Sequence, residues 1–155
     1  MERKTKVSAE AGKQDLIITR EFDLPVELLF KAYAEPGIVE QWMGTKVLKL
    51  ESKKHGSWHF RTSDENGNVV FQASGVIHDF VPDRKIIRTF EMDNASFGVQ
   101  LELLKFEALT DHMSKLTIHS IFESADHRDQ QLKLPFAYGL NMAHDRLEEV
   151  AGKLK

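Results

Sequence analysis

Hydrophobic residues alternate with polar ones along most of the chain between residues 15 and 124. A period of two is typical of β-strands that have one buried face. Strands are predicted at 15–22, 45–52, 56–62, 68–80, 84–92, 96–109 and 114–124. The connectors include the turn-forming pairs Asn66-Gly67 and Pro82-Asp83. Strands joined by such short turns are antiparallel neighbours, so the pattern from residue 45 onward predicts a meander.

The alternation is interrupted once, in the segment VQLELLKFEAL, between Leu103 and Leu104. Two adjacent leucines in a regular strand point to opposite faces of the sheet, and only one of them can belong to the apolar face. The slip therefore predicts a β-bulge that increases the curl of the sheet.

Three segments show a helical period instead. After the potential cap Asp23 and the first-turn Pro25, one side of the first helix collects Val26, Leu29, Phe30 and Tyr33. A second short helix is predicted over 36–43. In the long C-terminal helix the predicted buried stripe is Phe136, Leu140, Ala143, Leu147, Val150 and Leu154. Residues 1–14 are polar and aperiodic, so we expect a flexible tail before a single domain over 15–155.

A sheet with one apolar face needs a cover, and only the C-terminal helix is long enough to provide it. The order of elements predicts an α+β helix-grip fold, with a curved antiparallel sheet wrapped around that helix. Four segments serve as further landmarks: REFDLPVELLFKAYAEPGIVEQWMG, HGSWHF, NGNVVFQASGVIHDFVPDRKIIRTFE and YGLNMAHDRLEEVA. With these segments, the chain from about residue 16 to 151 resembles the family of activator of heat-shock protein 90 ATPase homologue-like proteins, within the START-like (SRPBCC) superfamily. The resemblance implies an apolar cavity between sheet and helix, and relatives in the superfamily bind lipids, hormones or polyketides.

Composition narrows the classes of function. The net charge is -3, with acidic and basic residues interspersed. A protein without a basic stripe is not expected to bind nucleic acid. The chain has no cysteine, which excludes disulfides, a thiolate nucleophile and a cysteine-ligated zinc. No apolar run approaches the about 20 residues of a transmembrane helix, and no signal peptide is evident, so we expect a soluble cytoplasmic protein.

The sequence gives only a weak signal for catalytic or metal-binding residues. The seven histidines form no His-x-x-x-His pair, and neither a metal nor a cofactor is expected. His119 with Asp111 or Ser120 is a poor catalytic triad because the chain has no nucleophile elbow. Glu102 and Glu107 are expected on the solvated outer face of the sheet. No catalytic residue is therefore assigned.

Arg88 breaks the alternation of its strand. If it shares a face with Ile86 and Phe90, its charge points toward the apolar side and needs a carboxylate or a ligand anion as partner. The alternative is a local twist that turns Ile87 and Thr89 inward and leaves Arg88 at an edge. The adjacent isoleucines favour this second arrangement, since either of them can face the core.

Aromatic residues are expected to converge between the sheet and the helices; they are Trp42, Trp58, Phe60, Phe71, Phe90, Phe122 and Phe136. Such a set either lines a small-molecule pocket or fills a core. Trp42 closes the second short helix and is predicted to act as a lid at the mouth of the cavity. Ser120 lies on the inward parity, where its hydroxyl binds either a ligand or a backbone carbonyl.

The leading hypothesis is a non-enzymatic protein that binds a small apolar or amphipathic molecule between the sheet and the C-terminal helix. The predicted ligand-binding residues are Trp42, Met43, Trp58, Phe60, Phe71, Arg88, Phe90, Ser120, Phe136, Leu140 and Ala143. One alternative is an interaction module that docks on a chaperone or another protein through an exposed apolar patch. Another is a cavity enzyme of cyclase or hydrolase type, which needs a pair of titratable groups in the pocket.

Overall fold

The computed structural model describes residues 3–93 and 98–155. Its strands are β1 (Lys6–Ser8), β2 (Asp15–Phe22), β3 (Lys46–Leu50), β4 (Ser57–Ser63), β5 (Val69–Val81), β6 (Lys85–Met92), β7 (Val99–Ala108) and β8 (Ser114–Ile121). Its helices are α1 (Val26–Ala34), α2 (Pro36–Met43), α3 (Ala125–Leu132) and α4 (Phe136–Gly152). The predicted start of the seventh strand, at residues 96 and 97, lies outside the described residues.

All the strands belong to one curved antiparallel sheet in the order β1-β2-β8-β7-β6-β5-β4-β3. The meander from β3 to β8 places sequential strands side by side, and β2 closes against β8. Leu147 and Ala151 of α4 are fully buried and share one core with the apolar face of the sheet. This arrangement confirms the predicted helix-grip fold.

Strand register separates two faces of the sheet. On the inner face, which α4 covers, one row of paired residues runs through Ile86, Leu104, Ile118 and Ile18. The next row points the other way and runs through Ile87, Leu103, His119 and Ile17. Residues of the first row are buried, whereas Ile17 is 40% exposed. The second row therefore belongs to the outer face.

The bulge predicted between Leu103 and Leu104 is wrong, because β7 keeps continuous register with both of its neighbours. Leu104 faces inward and Leu103 faces outward. The inner positions before Leu104 are occupied by the polar residues Gln100 and Glu102, both buried. The alternation in β7 is regular, but polar residues occupy two positions where an apolar residue was expected.

The structure forms both of the turns that the sequence predicted. Between β4 and β5, the Asp64 side chain accepts hydrogen bonds from the backbone N–H groups of Asn66 and Asn68. Gly67 has a φ of 84°, a left-handed conformation that glycine adopts without strain. Between β5 and β6, Asp83 takes the left-handed position with a φ of 64°, which aspartate tolerates better than most residues.

The sequence suggested that residues 1–14 form a flexible tail. In the structure, part of this segment belongs to the fold. β1 pairs with β2 at the edge of the sheet. Thr5 is 3% exposed, and its backbone N–H donates to Asn141 Oδ1 at 3.0 Å. Local periodicity missed this strand because it is only three residues long and polar, and contacts with the distant helix α4 hold it.

Two further elements differ from the sequence prediction. Helix α3 was missed because its residues are largely polar; Ser124 caps it by accepting a hydrogen bond from the His127 backbone N–H at 3.1 Å. Leu154 was assigned to the buried stripe of α4, but the helix ends at Gly152 and Leu154 is 52% exposed.

A buried polar network connects Thr5, which directly precedes β1, with β2, α1 and α4. His144 on α4 is fully buried, with Nδ1 at 2.9 Å from Thr5 Oγ1 and Nε2 at 3.3 Å from the Tyr33 hydroxyl. Arg20 Nη1 donates to Thr5 Oγ1 at 3.3 Å and pairs with Asp145 at 2.7 Å. His144 therefore holds the N-terminal strand and α1 against the long helix.

We expect mild acid to destabilise the protein through His144. Burial, with the Arg20 charge as a second cause, lowers the pKa of His144 from 6.5 to about 3. Between these values the unfolded chain binds a proton that the folded protein does not, so stability falls as the pH falls, by about 1.4 kcal/mol per unit. Urea unfolding between about pH 7 and pH 5 measures this slope. His144→Gln should flatten the slope, and an unchanged slope in that variant would contradict the assignment.

Candidate functional site

Arg88 lies on the inner face of the sheet, in the row that also contains Ile77 and Glu102. Its Nε donates to Glu102 Oε1 at 2.8 Å, and each of the two side chains is only 12% exposed. The interpretation that a twist leaves Arg88 at an edge is therefore wrong. Glu102 was expected on the outer face, and that expectation is also wrong: it faces inward because it pairs with Arg88 across two neighbouring strands.

Aromatic rings surround the Arg88 guanidinium. Its carbon lies 5.0 Å from the centroid of the Trp58 ring and 5.9 Å from that of Tyr33, within the range of a cation–π contact. Trp58 reaches this position across Gly75, where a Cβ would collide with the indole nitrogen and with the Thr89 carbonyl. The indole N–H donates to that carbonyl at 3.2 Å. Burial raises the pKa of Tyr33, so its phenol stays neutral.

Gln100 extends this polar group. Its Nε2 donates to Glu102 Oε2 at 3.3 Å, and the residue is 3% exposed. Its Oε1 is buried and has no hydrogen-bond partner among the described residues. The carboxylate of Glu102 thus receives one hydrogen bond on each oxygen, from Arg88 and from Gln100, while one buried acceptor of Gln100 remains unused.

Ser120 takes the inward position that its parity predicted. It pairs with Glu102 on β7 and with Leu16 on β2, and it is 2% exposed. The rows of the sheet therefore place Arg88, Glu102 and Ser120 side by side at the centre of the inner face. We call Arg88, Gln100, Glu102 and Ser120 the polar row.

The apolar residues predicted for the site divide into two groups. Trp58 and Phe60 are almost completely buried, and their ring centroids lie 4.8 Å apart. A second group packs against the core but keeps partial exposure; its members are Met43, Phe71, Phe90, Phe136, Leu140 and Ala143. Three of these lie on the N-terminal half of α4. The deeply buried residues of α4 are His144, Leu147 and Ala151, all in its C-terminal half.

Trp42 is not positioned as a lid. It is 5% exposed, and its indole N–H donates to the Ala32 carbonyl at 2.6 Å. Its ring packs against Tyr33 and His144. Trp42 therefore locks α2 against α1 and α4. The correction follows from helix orientation, which sequence periodicity does not determine.

His119 and Ser120 lie on opposite faces of the sheet. His119 faces outward and pairs with Asp15 at 2.7 Å, whereas Ser120 faces inward. This hydrogen bond is the main cause that lowers the pKa of Asp15. Within 3–93 and 98–155, no three His, Asp or Glu side chains cluster closely enough to hold a metal ion. No helix in those ranges is long and apolar enough to cross a bilayer.

Residues 23–152 match the family model described as Activator of Hsp90 ATPase homolog 1-like protein. That match covers most of the chain. The chain belongs to this family. Among curated proteins, no match is found.

Solved structures of other proteins share the fold of this chain. A Rhodobacter sphaeroides protein is 18% identical over 96% of this chain and 99% of its own, with a TM-score of 0.84. An Arthrobacter aurescens protein is 16% identical over 96% and 91%, with a TM-score of 0.83. A Mycobacterium smegmatis protein is 18% identical over 94% and 95%, with a TM-score of 0.82. At these identities the likeness concerns the START-like fold alone.

The chain also carries a groove of about 710 Å³ on the outer face of the sheet. The groove is lined by apolar Val81, Ile87 and Leu103, with Lys85 and Lys105 at its sides. These residues point away from the polar row, since Ile87 and Leu103 belong to the outer row of the sheet. The groove is therefore separate from the inner face.

Sequence reasoning missed Gln100, Glu102 and Tyr33 as neighbours of Arg88. A usable signal was present: in a hairpin that pairs Glu91 with Val99, Arg88 falls opposite Glu102. Opposite charges at paired positions on one face favour an ion pair. Tyr33 was recognised as facing inward from α1, but no sequence pattern indicates which strand it meets.

Proposed function

We propose that this protein binds a small apolar or amphipathic molecule between the inner face of its sheet and the N-terminal half of α4. The observation that carries this proposal is the polar row at the centre of the inner face, beside the aromatic rings of Trp58 and Tyr33. Ligand sites typically combine apolar and aromatic walls with a few polar groups that set orientation. Proteins of this fold family commonly bind ligands in a cavity.

The burial pattern of α4 supports the same location. Phe136, Leu140 and Ala143 keep partial exposure, although they lie on the helix face that packs against the core. Phe90 on β6 is likewise half-buried, next to the fully buried Trp58 at 5.5 Å between ring centroids. A bound hydrocarbon chain that covers these side chains gains about 25 cal/mol for each Å² of apolar surface removed from water.

The polar row suits a binding role better than a catalytic one. Arg88 and Glu102 neutralise each other at 2.8 Å, so neither is free to transfer a proton without breaking the pair. The two best-placed histidines contact other groups, His144 with Thr5 and His119 with Asp15. An orienting function needs only hydrogen-bond donors and acceptors in fixed positions.

Leu140→Trp should block the proposed site. The larger side chain would occupy the space between α4 and the inner face, and binding of a neutral fluorescent probe such as N-phenyl-1-naphthylamine should weaken at least about tenfold, a loss of about 1.4 kcal/mol. Fluorescence titration of both proteins measures the effect. Met142→Trp is the matched control, because Met142 lies on the same helix but is 53% exposed.

Equal probe affinity in wild type, Leu140→Trp and Met142→Trp would contradict the proposed location. Native mass spectrometry of protein purified from its own host gives a second test, because a co-purifying small molecule identifies the natural ligand. Loss of that molecule in Leu140→Trp alone is the expected result.

Docking on another protein is the second candidate function. Its support is the outer-face groove, where Ile87 and Leu103 are half-buried. Ile17, on the far side of His119 in the same row, is 40% exposed. Exposed apolar surface flanked by charged residues is common at protein interfaces. The two functions use opposite faces of the sheet, so a block of the inner site by Leu140→Trp leaves the groove intact.

A further inference from the structure

We propose that the polar end of the ligand is uncharged and carries a hydrogen-bond donor, as in an alcohol or a primary carboxamide. This inference rests on the proposed function and specifies the chemical class of molecule for the same site. It departs from the simplest expectation for an inward-facing arginine, which is an anionic ligand such as a fatty acid.

The charge balance of the polar row disfavours an anion. The guanidinium of Arg88 is already paired with Glu102 at 2.8 Å, and both side chains are 12% exposed. A ligand carboxylate that approached Arg88 would lie beside the Glu102 carboxylate, and two like charges in a poorly solvated site repel each other strongly. A cationic ligand would compete with Arg88 for the same partner. A neutral head group leaves the ion pair intact.

Gln100 is the reason that the ligand must carry a hydrogen-bond donor. Because the Glu102 carboxylate only accepts hydrogen bonds, the Gln100 amide must turn its N–H₂ group toward Glu102 Oε2, at 3.3 Å. Its carbonyl oxygen Oε1 then faces elsewhere, and this buried atom has no partner among the described residues. A buried acceptor left without a donor is unfavourable, and an O–H or N–H of a ligand that reaches it removes this cost.

Arg88 supplies a complementary donor. Only Nε of its guanidinium donates to Glu102; the two terminal nitrogens donate to no residue within 3–93 and 98–155. A hydroxyl or a primary amide offers both an O–H or N–H for Gln100 and an oxygen for Arg88. An ether or ester offers the oxygen alone, and it leaves Oε1 without a partner.

Competition against the bound fluorescent probe tests this class directly. Four unbranched compounds of similar chain length differ at the polar end: decanol, decanamide, decanoate and methyl decyl ether. With the wild-type chain, decanol and decanamide should displace the probe at about tenfold lower concentration than decanoate or the ether. Gln100→Leu should remove the advantage of decanol over the ether, while the affinity of the ether stays unchanged. Gln41→Leu, at an exposed position of α2, is the control and should behave as wild type.

The outcomes separate the two proposals. Equal affinity for decanol and the ether in the wild-type chain would overturn the inference, because it would mean that water or another group already satisfies Oε1. Tightest binding of decanoate would overturn it in favour of an anionic ligand; in both cases the proposed binding function stands. If the probe binds but none of the four compounds displaces it, or if the probe does not bind, the proposed function itself fails. Should Gln100→Leu not fold, Gln100→Met and the wild-type ranking carry the test.

Discussion

Leu147→Asp is expected to unfold most of the protein at room temperature. Leu147 is completely buried in the core shared by α4 and the sheet. The substitution removes a leucine side chain, which alone costs about 2–5 kcal/mol, and places a carboxylate in an apolar environment. The sum is comparable to the whole stability of about 5–15 kcal/mol that a domain of this size has. Circular dichroism with thermal unfolding measures the loss.

Met142→Asp serves as the control for Leu147→Asp. Met142 lies on the same helix, five residues earlier, and is 53% exposed, so the change should alter stability by no more than about 0.5 kcal/mol. A melting temperature for Leu147→Asp close to that of Met142→Asp would show that α4 presents a different face to the sheet.

Arg88→Met is expected to destabilise the protein by about 3–5 kcal/mol, because it leaves the Glu102 carboxylate buried without a counter-charge. Methionine keeps the length of the apolar stem. The loss of stability is therefore due to the missing charge and not to a change in side-chain volume. Without knowledge of Glu102, the same substitution would be expected to leave the empty protein as stable or to stabilise it. Guanidinium chloride is unsuitable here because its ionic strength screens charges, and urea unfolding is the preferred measurement.

The double variant Arg88→Met with Glu102→Leu separates the ion pair from general damage to the core. It removes both charges, and a buried ion pair replaced by apolar residues is often neutral for stability. We therefore expect the double variant to recover most of the loss seen in Arg88→Met. A double variant as unstable as the single one would mean that Arg88 stabilises the fold mainly through Trp58 and Tyr33.

The Arg88 site shows the limit of what strand periodicity predicts about a side chain's orientation. Alternation in β6 allowed Arg88 to share a face with Ile86 and Phe90, but the adjacent isoleucines Ile86 and Ile87 favoured the opposite orientation. The structure shows that the favoured orientation is wrong. What decides between the two orientations is Glu102, fourteen residues away, which pairs with Arg88 only when β7 lies beside β6.

Trp42 and His144 show the same limit for helices. Periodicity placed both on helices, but the rotation of α2 and the crossing of α4 determine that Trp42 bonds to Ala32 and packs on His144. His144 was not assigned to the buried stripe of α4, because histidine is a polar residue and the stripe was defined by apolar residues. It is buried because Thr5 and Tyr33, from two other elements, satisfy its ring nitrogens.

The sequence by itself determined the order of strands β2 to β8 and of helices α1, α2 and α4, together with the meander and the hairpin turns. All of these follow from local period and turn chemistry. The resemblance to the family, carried by four segments, was likewise readable from the chain alone. Only the tertiary structure decided the partners of the buried polar groups: Glu102 and Gln100 for Arg88, and Thr5 for His144. Those pairings join residues that are distant in sequence, and a charge or an amide is stable in a core only when folding brings its partner within hydrogen-bond distance.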